Sequence, residues 1–416
     1  MTTKGRIMLD VDFIRSLYTA CTDGVYRDHA FFENAGGSYI PRPVLDPFIE
    51  FLREYKVQPY APYAMAQRAG AAMDAGYAAV AELLNADPDE ITIGPSTTLN
   101  TYVLAQAIRS SIAEGDEIVV TNQDHEANIG CWRRLEKSGA VIREWRVDPE
   151  TGQLDIADLE RLLSGRTRLV CFTLCSNIVG TFHDVRRITA LARDAGALSM
   201  GDGVSFAPHR LLDVRDSGLD FYCFSTYKTF APHTGVMWGR RESLERLEPQ
   251  GHYFNNDLPR YRFNPAGPLH AEIAALGGLR DYIEQIHARH FDGGAGLRDK
   301  AEAVFDLFAR HEQALAKQLL DYLGARPDVR IIGHRDAVDG RRASTIAFTC
   351  SSMPSRDVVT RLAERKIGCS HGHFYARRCI EALGIDPADG VVRVSMVHYN
   401  TPGEVERLVR ALDEIL

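Results

Sequence analysis

The middle of the chain alternates between short apolar runs and segments in which apolar residues recur every three or four positions. The runs at 90–94, 116–121, 140–145, 168–174, 197–202 and 220–225 have the length of strands. Helical spacing separates them, as at 127–138 and 185–195, and it also follows the first run to about residue 112. The nearly all-apolar run 168–174 is typical of a strand buried on both faces. Repeated units of this kind predict a mostly parallel sheet with helices on both faces.

The pattern changes near residue 270. Long helical periodicities at 271–286 and 297–323 are followed by strand-like runs at 330–333 and 344–349 and a last helix at 403–416. Helices followed by strands indicate a smaller α+β domain, with a boundary inside 261–275. We therefore expect a large α/β domain over 31–268, a small C-terminal domain over 269–416, and an N-terminal segment over 1–30 that joins the small domain.

Composition narrows the class of protein. The 416 residues carry 48 Lys and Arg against 56 Asp and Glu, a net charge of −8. This balance disfavours a nucleic-acid partner, because binding phosphates requires clustered basic residues. No apolar leader starts the chain, and no run reaches the roughly 18 apolar residues of a membrane span. We expect a cytoplasmic protein with no membrane partner, eight mostly reduced cysteines and no metal site.

Polar residues follow the predicted strands where a parallel sheet binds ligands, at the carboxyl ends. In chain order they are Ser96-Thr97-Thr98, Asp124-His125-Glu126, Ser176-Asn177, Asp202 and Ser225-Thr226-Tyr227-Lys228. The hydroxyls of 96–98 precede a predicted helix, where N–H groups and the helix dipole favour an anion. The same residues are equally consistent with an ordinary N-cap.

Taken together, these residues suit pyridoxal phosphate. This cofactor needs a lysine to hold its aldehyde as a Schiff base and an acid to keep its pyridine nitrogen protonated. It also needs an anion cradle for its phosphate and a planar group to stack on its ring. In that order, the candidates are Lys228, Asp202, residues 96–98 and His125.

The chain resembles the fold-type-I enzymes of the class V aminotransferase superfamily, and within it the group II cysteine desulfurase-like and isopenicillin-N-epimerase-like proteins. The segments that carry the resemblance are Phe32-Glu33-Asn34-Ala35-Gly36, Ser96-Thr97-Thr98, His125-Glu126-Ala127-Asn128, Ser176-Asn177-Ile178-Val179-Gly180, Asp202-Gly203, Pro208-His209, Ser225-Thr226-Tyr227-Lys228, Arg393-Val394-Ser395 and Tyr399-Asn400-Thr401. The resemblance implies a PLP-transferase fold, with a mostly parallel seven-stranded-type sheet in the large domain. It also implies a homodimer with shared active sites, because residues 264–269 resemble a loop that reaches the partner's phosphate.

The resemblance also implies a role for each site residue. Lys228 would carry the cofactor and later move the Cα proton, Asp202 would pair with the pyridine nitrogen, and His125 would stack on the ring. The remaining cofactor contacts would come from Asn177 and Ser205 at the phenolic oxygen, and from Ser96, Thr97, Thr98, Ser225 and Tyr227 at the phosphate. The substrate would meet Arg393 at its α-carboxylate, with Asn34, Asn177 and the 36–37 turn beside it.

The chain departs from the desulfurase pattern in the small domain. Desulfurases carry a nucleophilic cysteine just after a Gly-His pair, where this chain has Gly372-His373-Phe374-Tyr375-Ala376. Tyr375 stands in the cysteine's place, and Cys369 lies six residues earlier. A shift of this size normally keeps a thiolate from the substrate sulfur. Three smaller departures are Ser370 for an arginine, Ser205 for a glutamine and Tyr227 for a histidine.

These departures favour a PLP-dependent lyase that eliminates a Cβ substituent, with sulfur the expected leaving atom, from a small L-amino acid. Three alternatives stay open: epimerisation or racemisation at Cα with Tyr375 or His373 as the second acid, desulfuration with Cys369 as nucleophile, and transamination. The segment 372–375 serves equally well as an aromatic lid or as an acid–base group. Released sulfur could pass to an acceptor protein, but no feature of the sequence indicates one.

Overall fold

The computed structural model describes residues 7–416. Its strands are β1 (Ala30–Phe31), β2 (Ile91–Gly94), β3 (Glu117–Thr121), β4 (Val141–Trp145), β5 (Thr167–Thr173), β6 (Leu198–Asp202), β7 (Phe221–Ser225), β8 (Gly235–Gly239), β9 (Val329–Ile332), β10 (Thr345–Cys350), β11 (Ile367–Gly368), β12 (Ser370–Gly372) and β13 (Val391–Ser395). Its helices are α1 (Val11–Ser16), α2 (Thr19–Thr22), α3 (Arg42–Glu54), α4 (Ala64–Leu84), α5 (Thr97–Arg109), α6 (Glu126–Arg133), α7 (Ile156–Leu162), α8 (Val185–Asp194), α9 (Val214–Ser217), α10 (Arg241–Arg246), α11 (His270–Ala275), α12 (Gly278–His290), α13 (Leu297–Gly324), α14 (Ser355–Glu364), α15 (Arg377–Ala382) and α16 (Pro402–Ile415).

Seven strands form the central sheet in the order β2-β8-β7-β6-β5-β3-β4. All of them run parallel except β8, which is antiparallel to both of its neighbours. Every residue of β3, β7 and β8 is buried, as expected for a sheet covered on both faces. The α/β class and the mostly parallel sheet predicted from the sequence are confirmed.

A second, four-stranded antiparallel sheet in the order β12-β13-β10-β9 forms in the C-terminal part. The amphipathic helices α14 and α16 bury their apolar sides against this sheet and α13. The N-terminal part lies against this region, because β1 forms a separate two-stranded parallel sheet with β11 and Glu33 bridges to Ser395 of β13. The domain limits at residues 30 and 268 stay a prediction.

Among the elements that differ from the sequence-based expectation, two have a clear local reason. The predicted helix 271–286 is two helices, α11 and α12, separated by Leu276 and Gly277. The start of α12 lies so close to α3 that a Cβ on Gly278 would come within 2.0 Å of the Pro43 carbonyl oxygen. The continuous apolar periodicity does not reveal this packing. The strand β8 also has no clear signal in the sequence, because its five-residue run carries a glycine at each end.

Across residues 7–416, we find no helix with both the length and the apolar character needed to cross a membrane.

The contact between α4 and α11 generates a stability prediction. A Cβ on Gly76 would lie 1.9 Å from the Ile273 carbonyl oxygen, so Gly76→Ala should lower the free energy of unfolding by about 1–3 kcal/mol. Alanine favours the helix over glycine by about 1 kcal/mol, and this gain offsets part of the loss from the clash. Gly165→Ala is the matched control, because nothing lies within 4 Å of its added Cβ. Urea unfolding of both variants gives the comparison, and equal stabilities would contradict the packing described.

Candidate active site

The carboxyl ends of the parallel strands bring the predicted cofactor residues to one cavity, here called the inner cavity. Of the residues predicted to contact the cofactor, all ten line it: Ser96, Thr97, Thr98, His125, Asn177, Asp202, Ser205, Ser225, Tyr227 and Lys228. An outer cavity shares His125, Asn177, Tyr227 and Lys228 with it and continues to the small domain. The shared residues therefore mark the junction between a deep compartment and an outer one.

Lys228 ends a short 3₁₀ turn, Thr226–Lys228, directly after β7. The two ends of the loop that follows are hydrogen-bonded to each other, because the Thr226 and Thr234 hydroxyl oxygens lie 2.7 Å apart. Thr226 Oγ1 also accepts a hydrogen bond of 3.1 Å from the Thr234 amide. Phe230 in this loop has a φ of +68°, a left-handed conformation. The turn and the closed loop fix the backbone on both sides of the lysine.

Burial tunes the two charged groups of the inner cavity in opposite directions. Burial, reinforced by the positive charge of Arg393, lowers the pKa of Lys228 to about 8, against the opposing charges of Asp202 and Glu33. Burial also raises the pKa of Asp202 to about 6, although the Val204 amide and Lys228 favour its charged form. The Val204 amide donates to Asp202 Oδ1 at 2.7 Å. Near neutral pH the site therefore holds a carboxylate and an amine that loses its proton readily.

His125 is the N-cap of α6, where its Nδ1 accepts a hydrogen bond of 3.1 Å from the Ala127 amide. Burial lowers the pKa of His125 to about 3, with further contributions from the charges of Lys228 and Arg393. The imidazole is therefore neutral at physiological pH, which suits a planar group that stacks on a ring and carries no charge.

The hydroxyl groups of the inner cavity lie at the start of α5 and the end of β7. Ser96 is the N-cap of α5, and its Oγ accepts a hydrogen bond of 3.1 Å from the Leu99 amide. Thr97 Oγ1 lies 2.8 Å from Ser225 Oγ. The two interpretations of this segment are therefore compatible, since Ser96 caps the helix and the cluster still lines the cavity. Hydroxyls beside a helix N-terminus suit a phosphate group.

Arg393, from β13, lines the outer cavity together with two side chains that the sequence analysis did not single out. Its Nη2 lies 2.7 Å from Glu33 Oε1, and the centre of its guanidinium lies 3.7 Å from the Phe374 ring centroid. Its Nη1 donates to the Asn177 carbonyl oxygen at 3.3 Å. Glu33 could have been suspected from its place beside Asn34 in the same segment. The pairing itself joins residues 360 positions apart and has no local signal in the sequence.

Backbone carbonyl groups of the 372–375 segment accept hydrogen bonds from residues of the large domain. Asn177 Nδ2 donates to the Phe374 carbonyl oxygen at 3.0 Å, and the Glu126 amide donates to the Tyr375 carbonyl oxygen at 2.8 Å. The Tyr375 ring centroid lies 5.3 Å from that of His125, although 70% of Tyr375 is exposed. His373 also lines the outer cavity, and its Nδ1 accepts from the Tyr375 amide at 3.1 Å.

All eight cysteines lie in the part of the chain that the structure describes, and none is placed as a reactive thiol of the outer cavity. Cys369 packs against the core of the small domain instead. Burial, together with the charge of Glu33, raises the pKa of Cys369 to about 12. Cys175 lines the inner cavity, but burial raises its pKa to about 12 as well. A nucleophilic thiolate at either position is therefore unfavourable.

Asn34 does not reach the site that the sequence analysis expected for it. It is buried and lines neither cavity. Its Nδ2 donates to the Ser395 carbonyl oxygen at 2.8 Å and to Asn400 Oδ1 at 3.1 Å, and its Oδ1 accepts from the Tyr399 hydroxyl. The amide is fully used in joining the N-terminal part to the small domain. Ala35 and Gly36 line the outer cavity in its place.

The donors and acceptors of the inner cavity fit pyridoxal phosphate. A buried amine with a lowered pKa, a buried carboxyl group, a neutral imidazole and a hydroxyl cluster at a helix start lie around one space. Each corresponds to one of the four requirements of this cofactor. The cavity therefore offers a partner to the aldehyde, the pyridine nitrogen, the ring face and the phosphate.

The sequence model of one family, described as aminotransferase class-V, matches residues 30–408. The chain is 35% identical over 415 residues to the aminotransferase-like protein FGM3 of Gibberella zeae, covering 98% of each chain. It is 31% identical to the cysteine desulfurase-like protein ustD of Aspergillus flavus, over 98% of this chain and 91% of that protein. A probable cysteine desulfurase of Streptomyces coelicolor is 30% identical, over 98% of this chain and 97% of that protein.

Solved structures agree in fold. The apo structure of a cysteine desulfurase from Thermococcus onnurineus matches with a TM-score of 0.85 at 24% identity, over 100% of this chain and 99% of the other. The cysteine desulfurase CsdA of Escherichia coli matches with a TM-score of 0.81 at 26% identity, over 98% of both chains. The expected superfamily and fold are thereby confirmed.

The lowered pKa of His125 generates a prediction about pH. An unfolded histidine titrates near 6.5, whereas folded His125 titrates near pH 3. Between these values only the unfolded chain binds the proton, so acid favours unfolding. Relative to His125→Phe, the wild type should lose about 1.4 kcal/mol of unfolding free energy per pH unit as the pH falls through this window.

Urea unfolding of both proteins at several pH values across this window gives the measurement. The lost N-cap of α6 adds a constant offset to the variant, so the difference in slope is the relevant quantity. Parallel curves would show that His125 does not become more difficult to protonate on folding.

Proposed function

The chain belongs to the class-V aminotransferase family and is a PLP-dependent enzyme, and from this premise we propose that it is a lyase that needs no protein thiol. In this proposal it removes the Cα proton of a small L-amino acid and eliminates a Cβ substituent, with sulfur the expected leaving atom. One observation carries the proposal: Tyr375, not a cysteine, lines the outer cavity together with Lys228, while the half-buried Cys369 lies outside it. Without a persulfide-forming thiolate, sulfur would leave with the released group.

When bound, the cofactor supplies an electron sink for the charge that develops at Cα. Lys228 Nζ takes the Cα proton in this proposal, since a pKa near 8 makes its amine an effective base close to neutral pH. Asp202 carries the negative charge that holds a proton on the pyridine nitrogen. His125 provides the planar contact on the ring.

Arg393 would receive the substrate α-carboxylate, because guanidinium offers parallel N–H donors to a carboxylate. Glu33 and Phe374 act as positioning residues in this proposal, since the ion pair and the stacked ring fix the guanidinium plane. Asn177 connects the two halves, since its carbonyl oxygen accepts from Arg393 and its side chain donates to the Phe374 backbone. The substrate site would therefore be built from both sheets of the molecule.

Epimerisation at Cα is the second candidate function. It requires a second acid in addition to Lys228, and Tyr375 and His373 both line the outer cavity with that lysine. The phenol and the imidazole are each able to deliver a proton. The products formed from a single substrate separate this reaction from elimination.

Product analysis with L-cysteine tests the proposal. The purified holoenzyme should release pyruvate, ammonia and sulfide, because elimination at Cβ leaves an enamine that hydrolyses to pyruvate. Alanine together with a protein-bound persulfide would contradict the proposal and establish desulfuration. D-cysteine formed without loss of total cysteine would establish epimerisation instead.

Two variants make this experiment specific. Cys369→Ser should keep the pyruvate yield within about twofold of wild type, since this thiol lies outside the outer cavity and takes no part. Lys228→Ala should abolish turnover, the visible absorbance band of the lysine-bound cofactor, and the mass added to the chain by borohydride reduction. Loss of pyruvate in Cys369→Ser, or a retained cofactor mass in Lys228→Ala, would remove the role assigned to that residue.

We also propose a homodimer, supported by apolar side chains exposed close to the 264–269 segment. Tyr253 is 85%, Phe254 67% and Leu258 48% exposed, which is unusual for large apolar groups of neighbouring residues. The wild type should sediment at about twice 46.3 kDa, and Tyr253→Ser with Phe254→Ser should sediment as one chain. Val25→Ser, at an 88% exposed apolar position elsewhere, is the control that should stay dimeric. A wild type that sediments as one chain would contradict the proposal.

A further inference from the structure

His233 lines the inner cavity but has no part in the site described so far. It lies between Pro232 and Thr234, at the end of the closed loop that begins at Thr226. The Thr226–Thr234 hydrogen bonds that fix Lys228 also fix the backbone beside His233. Its position is therefore set by the same loop that sets the lysine.

The His233 ring stacks on Tyr227, with ring centroids 4.4 Å apart and planes within 3° of parallel. Tyr227 lines both cavities, whereas His233 lines only the inner one. Two residues further on, a Cβ at Gly235 would lie 2.2 Å from the Thr97 backbone nitrogen, so this segment passes directly over the start of α5. His233 therefore belongs to the hydroxyl end of the inner cavity.

The charge balance at this end is incomplete without His233. A phosphate monoester carries up to two negative charges, while hydroxyl and N–H groups supply only dipoles. Three basic side chains line the inner cavity: His125, Lys228 and His233. Lys228 is committed to the aldehyde, and burial lowers the pKa of His125 to about 3, which keeps it neutral. Within one chain, His233 is therefore the basic side chain of this cavity left for the phosphate.

We propose that His233 is a phosphate ligand of the cofactor, donating an imidazole N–H to a phosphate oxygen while Tyr227 stacks on one face of its ring. The inference rests on the cofactor of the family and is independent of the proposed elimination. A hydrogen bond from an imidazole N–H to a negatively charged phosphate oxygen is charge-assisted, and such bonds are about twice as strong as neutral ones.

The test compares pyridoxal phosphate with pyridoxal, which lacks the phosphate. Both are titrated into the full-length chain after its own cofactor has been removed, and binding is followed by absorbance. His233→Ala should weaken pyridoxal phosphate binding by about 10-fold or more and change pyridoxal binding by less than about twofold. The ³¹P NMR resonance of the holoenzyme should also shift in His233→Ala, because one ligand of the phosphate is lost.

His29→Ala is the matched control, because this imidazole packs edge-on against the exposed Tyr26 and lines neither cavity. It should bind both compounds as the wild type does. Equal weakening of pyridoxal and pyridoxal phosphate by His233→Ala would indicate a structural role and overturn the proposal. Unchanged pyridoxal phosphate affinity and an unshifted ³¹P resonance would overturn it as well. Neither result depends on which reaction the enzyme catalyses.

Discussion

Burial of the Lys228 amine is the constraint around which the inner cavity is organised. A buried ammonium loses its hydration, so burial favours the neutral amine and the pKa of Lys228 falls to about 8. That cost is limited by Asp202 and Glu33, whose charges favour the protonated amine, and increased by Arg393. The site needs both influences, because an amine without the carboxylates would lie uncompensated and one without Arg393 would be a weaker acid. Parallel strands satisfy the requirement, since β6 and β7 end side by side and carry the acid and the lysine on adjacent ends.

The charge of Arg393 links the antiparallel sheet to the lysine of the parallel sheet. Arg393 comes from the antiparallel sheet and is fully buried beside the lysine of the parallel one, so its charge requires a partner. Glu33 supplies that partner from the N-terminal part, which pairs with β11 through β1 and is bonded to Ser395 of the small sheet through Asn34. The outer cavity thus depends on three regions of the chain that meet only in the folded state. A small shift between the sheets would move the guanidinium relative to Lys228.

This dependence explains which parts of the site could be predicted from the sequence. Asp202, Lys228, His125 and the 96–98 hydroxyls stand at strand ends, and a parallel sheet brings such ends together whatever its exact packing. Glu33, Phe374 and His233 carry no such local pattern, because their places depend on loops that meet across long sequence separations. Asn34 shows the converse error. Its neighbours Glu33, Ala35 and Gly36 line the outer cavity, but its amide is bonded to Ser395 and Asn400, which periodicity cannot indicate. The break between α11 and α12 was missed for the same reason.

The 372–375 turn shows how one loop position changes the chemistry available to the fold. Gly372, Phe374 and Tyr375 all have positive φ values, of 126°, 46° and 60°. For the two aromatic residues this backbone is unfavourable, so surrounding contacts must maintain it. Three contacts do so: the Asn177 amide on the Phe374 carbonyl, the Glu126 amide on the Tyr375 carbonyl, and the Phe374 ring on Arg393. A loop that delivers a thiolate to a substrate and then to an acceptor has to move. A turn fixed at three points is suited to cover the reacting atoms and exclude water, and its tyrosine offers a proton where a thiol would offer a nucleophile.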